Sequence, residues 1–255
     1  MTGFRGATSY EYRMQVRNVG LWVATIVVGV IGTRFVGVSA DTTRTWSVGE
    51  QIGAYAVNFN LFIPVIVGCY LADRVVRDRR LGMLEVLESS PMAGSSRLWA
   101  KFLGSTAAAC TPAFVGFMLV TIAIAISRGS AGAIAYGIAA FLTVMLPGLL
   151  FVSAFSLACP VIVTPVVFRV LFFGYWFWGN LMPPAVMPTL ARTPLMPLGK
   201  YAESGLFDSA LRGGTYVIEG PGSLGQALVS IVLLLVLAVA AIVALQALRP
   251  RWARI

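Results

Sequence analysis

Few side chains in this 255-residue chain have the types and spacing that catalysis requires. The chain contains no histidine, which excludes Ser-His and Cys-His nucleophilic centres and zinc hydrolases of the HExxH kind. Its three cysteines, Cys69, Cys110 and Cys159, lie singly within apolar stretches, so they predict neither a disulfide framework nor a metal site. We therefore expect no catalytic residue, no metal ligand and no cofactor on this chain.

The ionisable side chains are concentrated in one segment, between Asp73 and Lys101. A long apolar stretch ends just before this segment and another begins just after it. Because charged side chains are excluded from hydrocarbon, the segment must lie in water between two membrane crossings. The residue types in this segment favour ion pairs and the binding of a partner over catalysis. The ionisable residues within it are Arg74, Arg77, Asp78, Arg79, Arg80, Glu85, Glu88 and Arg97.

The composition of the chain distinguishes a membrane protein from a soluble one. Hydrophobic residues make up 58% of the sequence and charged residues only 11%, whereas a soluble domain is about a quarter charged. The mean hydropathy is +0.84. The formal net charge of +9 indicates contact with anionic lipid headgroups, and not with nucleic acid. The sequence thus predicts a helical membrane protein.

The apolar stretches predict an all-α membrane protein with six transmembrane helices in one domain, 1–255. One apolar run of nearly forty residues is too long for a single crossing, and Pro160 and Pro165 divide it into two. A cytoplasmic loop, 73–97, follows the second span, and a proline-rich outer loop, 183–224, precedes the last. The predicted spans are about 19–38, 52–72, 98–127, 132–157, 165–182 and 225–248.

The distribution of basic residues predicts the orientation of these spans. Six spans place both termini on the same side. If that side is the cytoplasm, 13 of the 19 lysines and arginines are inside, as the positive-inside rule requires. We therefore expect a multi-pass protein of the cell membrane with both termini and the charged loop in the cytoplasm.

Two shorter segments outside the spans also carry predictions. The residues 9–18 are interpreted either as a helix on the membrane surface, anchored by Tyr10, Tyr12 and Met14, or as a frayed tail. In the outer loop, the residues 200–211 predict one short helix.

The charged loop contains a short amphipathic pattern. At 100° per residue from Leu81, one side of a helix carries Met83, Leu84, Val86 and Leu87, whereas Glu85, Glu88 and Ser89 fall on the other. Ser90-Pro91 would end this helix. Two interpretations are open: an interfacial helix that lies on lipid, and a docking helix that buries its apolar side in a partner protein.

The run RRLGMLEVLESSPMAGSSRLWAKFLG resembles the first cytoplasmic loop of type-2 ATP-binding-cassette exporter permeases, and the six-span layout resembles that family over the whole chain. Members of the family show a basic patch, a glycine, a Leu-Glu-x-Leu stretch, a serine and proline, and a lysine that opens the next span. The matching positions are Arg79, Arg80, Gly82, Leu84, Glu85, Leu87, Ser89, Pro91 and Lys101.

The resemblance implies that the loop is a coupling helix, between spans two and three, that inserts into a cleft of a cytosolic ATPase. It further implies a dimer with a second permease, either identical or related. The chain lacks a GxxxxGK[ST] phosphate loop, so ATP and Mg would belong to the separate ATPase. One departure from the family is a proline-rich outer loop without paired cysteines.

Two clusters of polar and aromatic side chains are candidates for a substrate path. Asn58 and Asn60 lie in the second span, where interhelical hydrogen bonding and a path role are both open. In the fifth span, helical spacing places Phe168, Phe172 and Tyr175 on one face. It places Phe173, Trp176 and Asn180 on another. An aromatic belt at the outer interface is the alternative and explains Trp176 and Trp178 best.

The sequence therefore predicts the membrane subunit of an ATP-driven exporter of an apolar or amphipathic substrate, and not an enzyme. Two rivals are a secondary carrier and a membrane anchor or assembly factor. A carrier usually needs an intramembrane carboxylate, and none lies inside a predicted span. Expected contacts are the ATPase, the second permease and membrane lipids.

Overall fold

The computed structural model describes residues 2–35, 46–82, 92–182, 186–207 and 222–252. The regular structure within these ranges is entirely helical. The helices, in chain order, are α1 (Thr2–Val16), α2 (Val19–Phe35), α3 (Val48–Leu71), α4 (Arg74–Arg80), α5 (Gly94–Arg128), α6 (Gly132–Ala140), a π-helical turn (Phe141–Met145), α7 (Leu146–Ala158), a 3-10 turn (Cys159–Val161), α8 (Pro165–Leu181), α9 (Lys200–Leu206) and α10 (Leu224–Trp252).

Four stretches of the described chain are long and apolar enough to cross a membrane. They are Val48–Asp78, Gly94–Arg128, Gly132–Val161 and Leu224–Leu248. These helices confirm the all-helical class and indicate a membrane protein. The predicted first and fifth spans are also helical: α2 has 17 residues up to Phe35, where the described range ends, and α8 has 17 residues.

Helix α3 lies at the centre of the bundle. Of its apolar window, 72% is buried, against 28% for the last helix, α10. Ser47 and Glu50 form a reciprocal capping box at its start, which satisfies amide donors that a helix N-terminus otherwise leaves unpaired. Helix α3 packs against α2, α6, α7 and α8. A displacement of α3 would therefore alter its contacts with all four helices.

The long apolar run is interrupted where the prolines predict. Helix α7 ends at Ala158, and Pro160 lies in the 3-10 turn that follows. The Thr164 hydroxyl accepts the amide of Val167, and Pro165 occupies the first turn of α8, where its missing amide costs no hydrogen bond. The π-helical turn between α6 and α7 has no counterpart in the predicted pattern.

The polar residues at the start of the chain form helix α1, which packs along the beginning of α5. Gly104 of α5 permits this contact, because a Cβ there would lie 2.6 Å from the carbonyl oxygen of Thr8. Gln15 is fully buried and donates to the Ser105 hydroxyl at 2.6 Å. The predicted helix is therefore confirmed and the frayed tail is wrong, and α1 packs against α5.

The outer loop folds back against the bundle through its residues 194–207. The carbonyl of Pro197 accepts a hydrogen bond from Asn60 at 3.0 Å, and Asn60 lies about 18 Å along α3 from Val48 at 1.5 Å per residue. The loop thus reaches the middle of the central helix. Helix α9 ends at Leu206, five residues before the predicted end at 211, and residues 208–221 lie outside the described chain.

Candidate coupling site and translocation path

The residues that carry the predicted coupling site begin in α4 and extend beyond the described chain. Arg79 and Arg80 are the last two residues of α4, and Arg80 is exposed. Gly82 has a φ of +65°, a left-handed conformation that glycine adopts without steric cost. The predicted positions that lie outside the described residues are Leu84, Glu85 and Leu87, together with Ser89 and Pro91.

Lys101 joins three elements at the base of the charged loop. Its ammonium group donates to the Asp78 carboxylate of α4 and to the Arg74 carbonyl at 3.0 Å. It also lies 3.8 Å from the Glu11 carboxylate of α1. The Lys101 side chain is 12% exposed, so water screens these contacts less than it screens a surface pair. Lys101 therefore holds α1 and α4 against the first turns of α5.

A second ion pair joins the start of α4 to helix α8. The guanidinium group of Arg169 donates to the Asp73 carboxylate and, at 3.0 Å, to the carbonyl oxygen of Cys69. Arg74, the first residue of α4, lies 5.0 Å from the ring centroid of Tyr70, within the range of a cation–π contact. The end of α3 and the start of α8 are thereby held together by charge.

These contacts give α4 a defined mechanical position. Asp73, immediately before the helix, pairs with α8, and Asp78, near its end, pairs with α5. The short helix α4 is therefore attached to three helices, to α3 through the chain and to α5 and α8 through the ion pairs.

The two asparagines of α3 have different surroundings. Asn60 is fully buried and donates to the carbonyls of Pro197 and Val144, at 3.0 and 3.2 Å. Val144 lies in the π-helical turn. Asn60 therefore joins α3 to that turn and to the outer loop, which matches the interhelical interpretation. Asn58 is also buried, at 6% exposure. Neither the hydrogen bonds of Asn60 nor the burial of Asn58 bears on transport.

The aromatic face of α8 differs from the predicted one. Phe168, Phe172 and Trp176 follow each other along one face, with ring centroids 5.5 and 5.7 Å apart. Phe173 and Tyr175 are exposed. Trp176 is buried at the interface with α3, whereas Phe173, which helical spacing groups with it, is exposed.

Trp176 and Asn180 are held inside the protein. Trp176 is 2% exposed and donates its Nε1 proton to the carbonyl of Leu61 at 2.7 Å. This carbonyl lies in α3, three residues before Pro64. Asn180 donates to the Trp176 carbonyl at 2.8 Å. The belt interpretation of Trp176 is therefore wrong, whereas Trp178, at 40% exposure, remains compatible with it.

The outer loop contributes a buried ion pair that sequence reasoning missed. The Lys200 ammonium group lies 3.3 Å from the Glu203 carboxylate, and the two side chains are 4% and 1% exposed. Glu203 packs near Gly53 of α3. The i, i+3 spacing of opposite charges was visible in the sequence, but the proline-rich surroundings suggested a solvated loop.

Tyr201, next to Lys200, holds the start of this buried segment through a hydrogen bond to an earlier part of the loop. Burial raises the pKa of the Tyr201 phenol, so the hydroxyl group keeps its proton at neutral pH. It donates this proton to the carbonyl of Arg192 at 2.6 Å. In addition, the Ser230 hydroxyl of α10 donates to the Pro194 carbonyl at 2.8 Å. The loop is thus attached to α3 and α10 by polar contacts.

Comparison of the chain with models of known protein families, with curated proteins and with solved structures gave no match.

Proposed function

We propose that the chain is the membrane-spanning permease subunit of an ATP-driven exporter of the type-2 ATP-binding-cassette kind. In this proposal the segment after α4 is the coupling helix, and its Leu84 and Leu87 enter a cleft of a separate cytosolic ATPase. Glu85 orients that helix, and Arg79 and Arg80 form its basic flank. ATP and Mg bind to the ATPase.

The observation that carries the proposal is the pairing of α4 with α8 and with α5. Asp73 pairs with Arg169, and Asp78 pairs with Lys101. A coupling element must be stiff at its attachment and must reach helices that line a path. The two ion pairs support a stiff attachment, and they join α4 to α8, which the proposal places beside the path. ATP-driven closure of the partner would then rock α3 and α8 and open the path outward.

The proposal includes six spans and a second permease. Helices α2 and α8 have 17 residues each, which is about 25 Å at 1.5 Å per residue and the lower limit for a crossing. The exposed side of α8, with Phe173 and Tyr175, would face the second permease and an apolar or amphipathic substrate between the two. Phe172, Tyr175, Trp176, Asn180, Asn58 and Asn60 stay candidates for that path.

The docking of the loop is testable by co-purification. The tagged chain is isolated from its native membranes, and the eluate is labelled with the photoreactive nucleotide 8-azido-ATP. We expect a labelled polypeptide distinct from the tagged chain. Because burying two leucines is worth about 1.5–3 kcal/mol each, the double variant Leu84→Asp, Leu87→Asp should lose that polypeptide while its own membrane abundance is unchanged.

The matched control adds the same two charges elsewhere in the loop. The double variant Ser95→Asp, Ser96→Asp lies in the first turn of α5, outside the predicted coupling helix, and it should retain the labelled partner. Undiminished labelling with the leucine variant would refute docking through the apolar side. Loss of the partner from both double variants would also refute docking through the apolar side, because added charge anywhere in the loop would then be enough to release the partner.

A secondary carrier is the second candidate, and the buried pair of Lys200 and Glu203 favours it. The predicted spans contain no carboxylate, which counts against a carrier. Glu203, however, enters the bundle from the outer loop, and a buried ionisable group in a membrane protein is frequently functional. A carrier would couple transport to a proton gradient through this carboxylate.

The carrier hypothesis predicts that Glu203→Gln abolishes transport driven by a pH gradient. Since this change leaves Lys200 buried without its carboxylate, abundance is measured in parallel. The double variant Lys200→Met, Glu203→Leu removes both charges and should restore abundance. If the pH gradient still drives transport by the double variant, Glu203 is not the coupling carboxylate.

A further inference from the structure

A groove of about 350 Å³ lies between α1, α4 and the first turns of α5. Arginines and apolar side chains line it together. The lining residues that matter for binding are Tyr10, Met14, Arg74, Arg77, Leu81 and Arg97. The proposed coupling mechanism leaves this groove unused, because the mechanism concerns the segment after α4 and the ion pairs beneath it.

Among the described residues that line the groove, basic side chains outnumber acidic ones. Four basic side chains line it, namely Arg74, Arg77, Arg97 and Lys101, against the two carboxylates of Glu11 and Asp78. Lys101 contacts both carboxylates. Arg77 is exposed and forms no ion pair with a carboxylate in the part of the chain that the structure describes. The groove therefore attracts an anion.

The remaining walls of the groove are apolar and open to the surroundings. Tyr10 is 68% exposed, Leu81 is 62% exposed and Met14 is 42% exposed. Such side chains next to an anion site suit a ligand that has both an anionic group and a hydrocarbon part. A soluble phosphate would leave these apolar side chains in contact with water.

The position of the groove along α5 indicates where this ligand comes from. Helix α5 has 35 residues and extends about 52 Å, beyond the ~30 Å hydrocarbon core, so at least one of its ends lies at headgroup level. Leu103, only two residues past Lys101, is 40% exposed and begins the apolar outer surface of α5. The groove therefore lies within about one turn of an exposed apolar surface of α5.

We propose that this groove binds the phosphate headgroup of an anionic phospholipid, with Arg77 as the principal contact. Tyr10, Met14 and Leu81 then cover the glycerol and the first methylene groups. The exposed Arg13 of α1 lies outside the groove and contributes only to the general surface potential. The inference requires a membrane-embedded chain but does not depend on transport or on the ATPase.

The test counts lipids retained by the purified full-length chain in native mass spectrometry. The micelles contain either phosphatidylglycerol or phosphatidylcholine. A charge-assisted hydrogen bond to a phosphate is worth about a tenfold change in occupancy. We therefore expect Arg77→Gln to reduce retained phosphatidylglycerol about tenfold, Arg77→Lys to retain it, and the matched control Arg13→Gln to cause a much smaller loss.

The remaining outcomes would overturn the proposal. Equal loss in Arg77→Gln and Arg13→Gln would mean diffuse attraction to the surface, and no loss in either would mean that the groove binds no anion. Equal retention of phosphatidylcholine would mean that charge is irrelevant. Displacement of the lipid by millimolar glycerol 3-phosphate would identify a soluble phosphate as the ligand. Arg77→Lys also serves as the folding control for the glutamine variant.

Discussion

Lys101 shows how a single side chain determines the position of several elements. Membrane helices often place a lysine near one end, where its long side chain reaches the headgroups, and the sequence permits that role here. In the structure Lys101 instead turns into the protein, toward Glu11 and Asp78. It matches the family's motif at the sequence level, and its contacts give a physical reason for a lysine at that position.

Replacing Lys101 tests this role. Lys101→Met leaves two partly buried carboxylates close together without a cation, and we expect a loss of about 1–2 kcal/mol in the free energy of unfolding. Thermal unfolding in detergent, followed by tryptophan fluorescence, measures the change. In the double variant Lys101→Met, Asp78→Asn the loss should be smaller than the sum of the two single losses, because the pair is removed together. Strict additivity would show that the two side chains do not interact.

Trp176 illustrates what residue type alone cannot reveal. Its neighbours in sequence, Tyr175 and Trp178, are exposed, whereas Trp176 is buried against the Leu61 carbonyl. The aromatic content of α8 was evident from the sequence. The direction of the buried stripe was not, because an apolar helix in lipid has no polar face to orient it.

At the scale of the elements, the helices that long apolar runs predict are the most accurately placed. Helix α7 ends one residue after the predicted limit at 157, and α8 begins at the predicted residue, Pro165. Prolines and threonine caps define those ends locally. The sequence allows two interpretations of α1, because the order of that helix comes from a partner distant in sequence, α5.

The contact between α1 and α5 depends on the absence of a side chain at Gly104. In Gly104→Ala the new Cβ would lie 2.6 Å from the Thr8 carbonyl oxygen and 2.8 Å from the Glu11 Cβ. We expect a loss of about 1–3 kcal/mol in stability and faster tryptic cleavage at Arg13 as α1 detaches. Thermal unfolding and timed proteolysis measure both effects.

Gly174 of α8 provides the control for this substitution. It also lies inside a helix, but a Cβ at this position would have no atom of the described residues within 4 Å, apart from its own helix backbone and chain neighbours. Gly174→Ala should therefore leave cleavage at Arg13 unchanged and stabilise the helix by about 0.5–1 kcal/mol. The steric account of α1 docking would be rejected if both alanine variants had the same stability and the same cleavage rate.

At the scale of the whole molecule, the outer loop is the part that the sequence predicts least. Its proline content suggested an irregular connection, yet its residues 194–207 pack against α3 and α10. The hydrogen bond from Asn60 to Pro197 joins residues 137 positions apart. No local periodicity encodes such a contact, so the buried pair of Lys200 and Glu203 was also beyond prediction.

The proposed orientation predicts which loops an impermeant thiol reagent reaches in intact cells. With the three native cysteines replaced, Val186→Cys should be labelled from outside, because Val186 is 69% exposed in the outer loop. Ala93→Cys, exposed next to α5, should be labelled only after the membrane is permeabilised. If Ala93→Cys is labelled in intact cells and Val186→Cys is not, the orientation in the membrane is the reverse of the proposed one.

In the proposed function, ATP hydrolysis on a separate subunit drives transport through the loop after α4. The most direct measurement is the ATP-dependent uptake of amphipathic dyes into inside-out vesicles that contain the chain and its partner. We expect uptake that vanadate and the double variant Leu84→Asp, Leu87→Asp abolish and that a protonophore leaves unchanged. Uptake that proceeds without ATP and collapses with the protonophore would contradict this claim and favour the carrier.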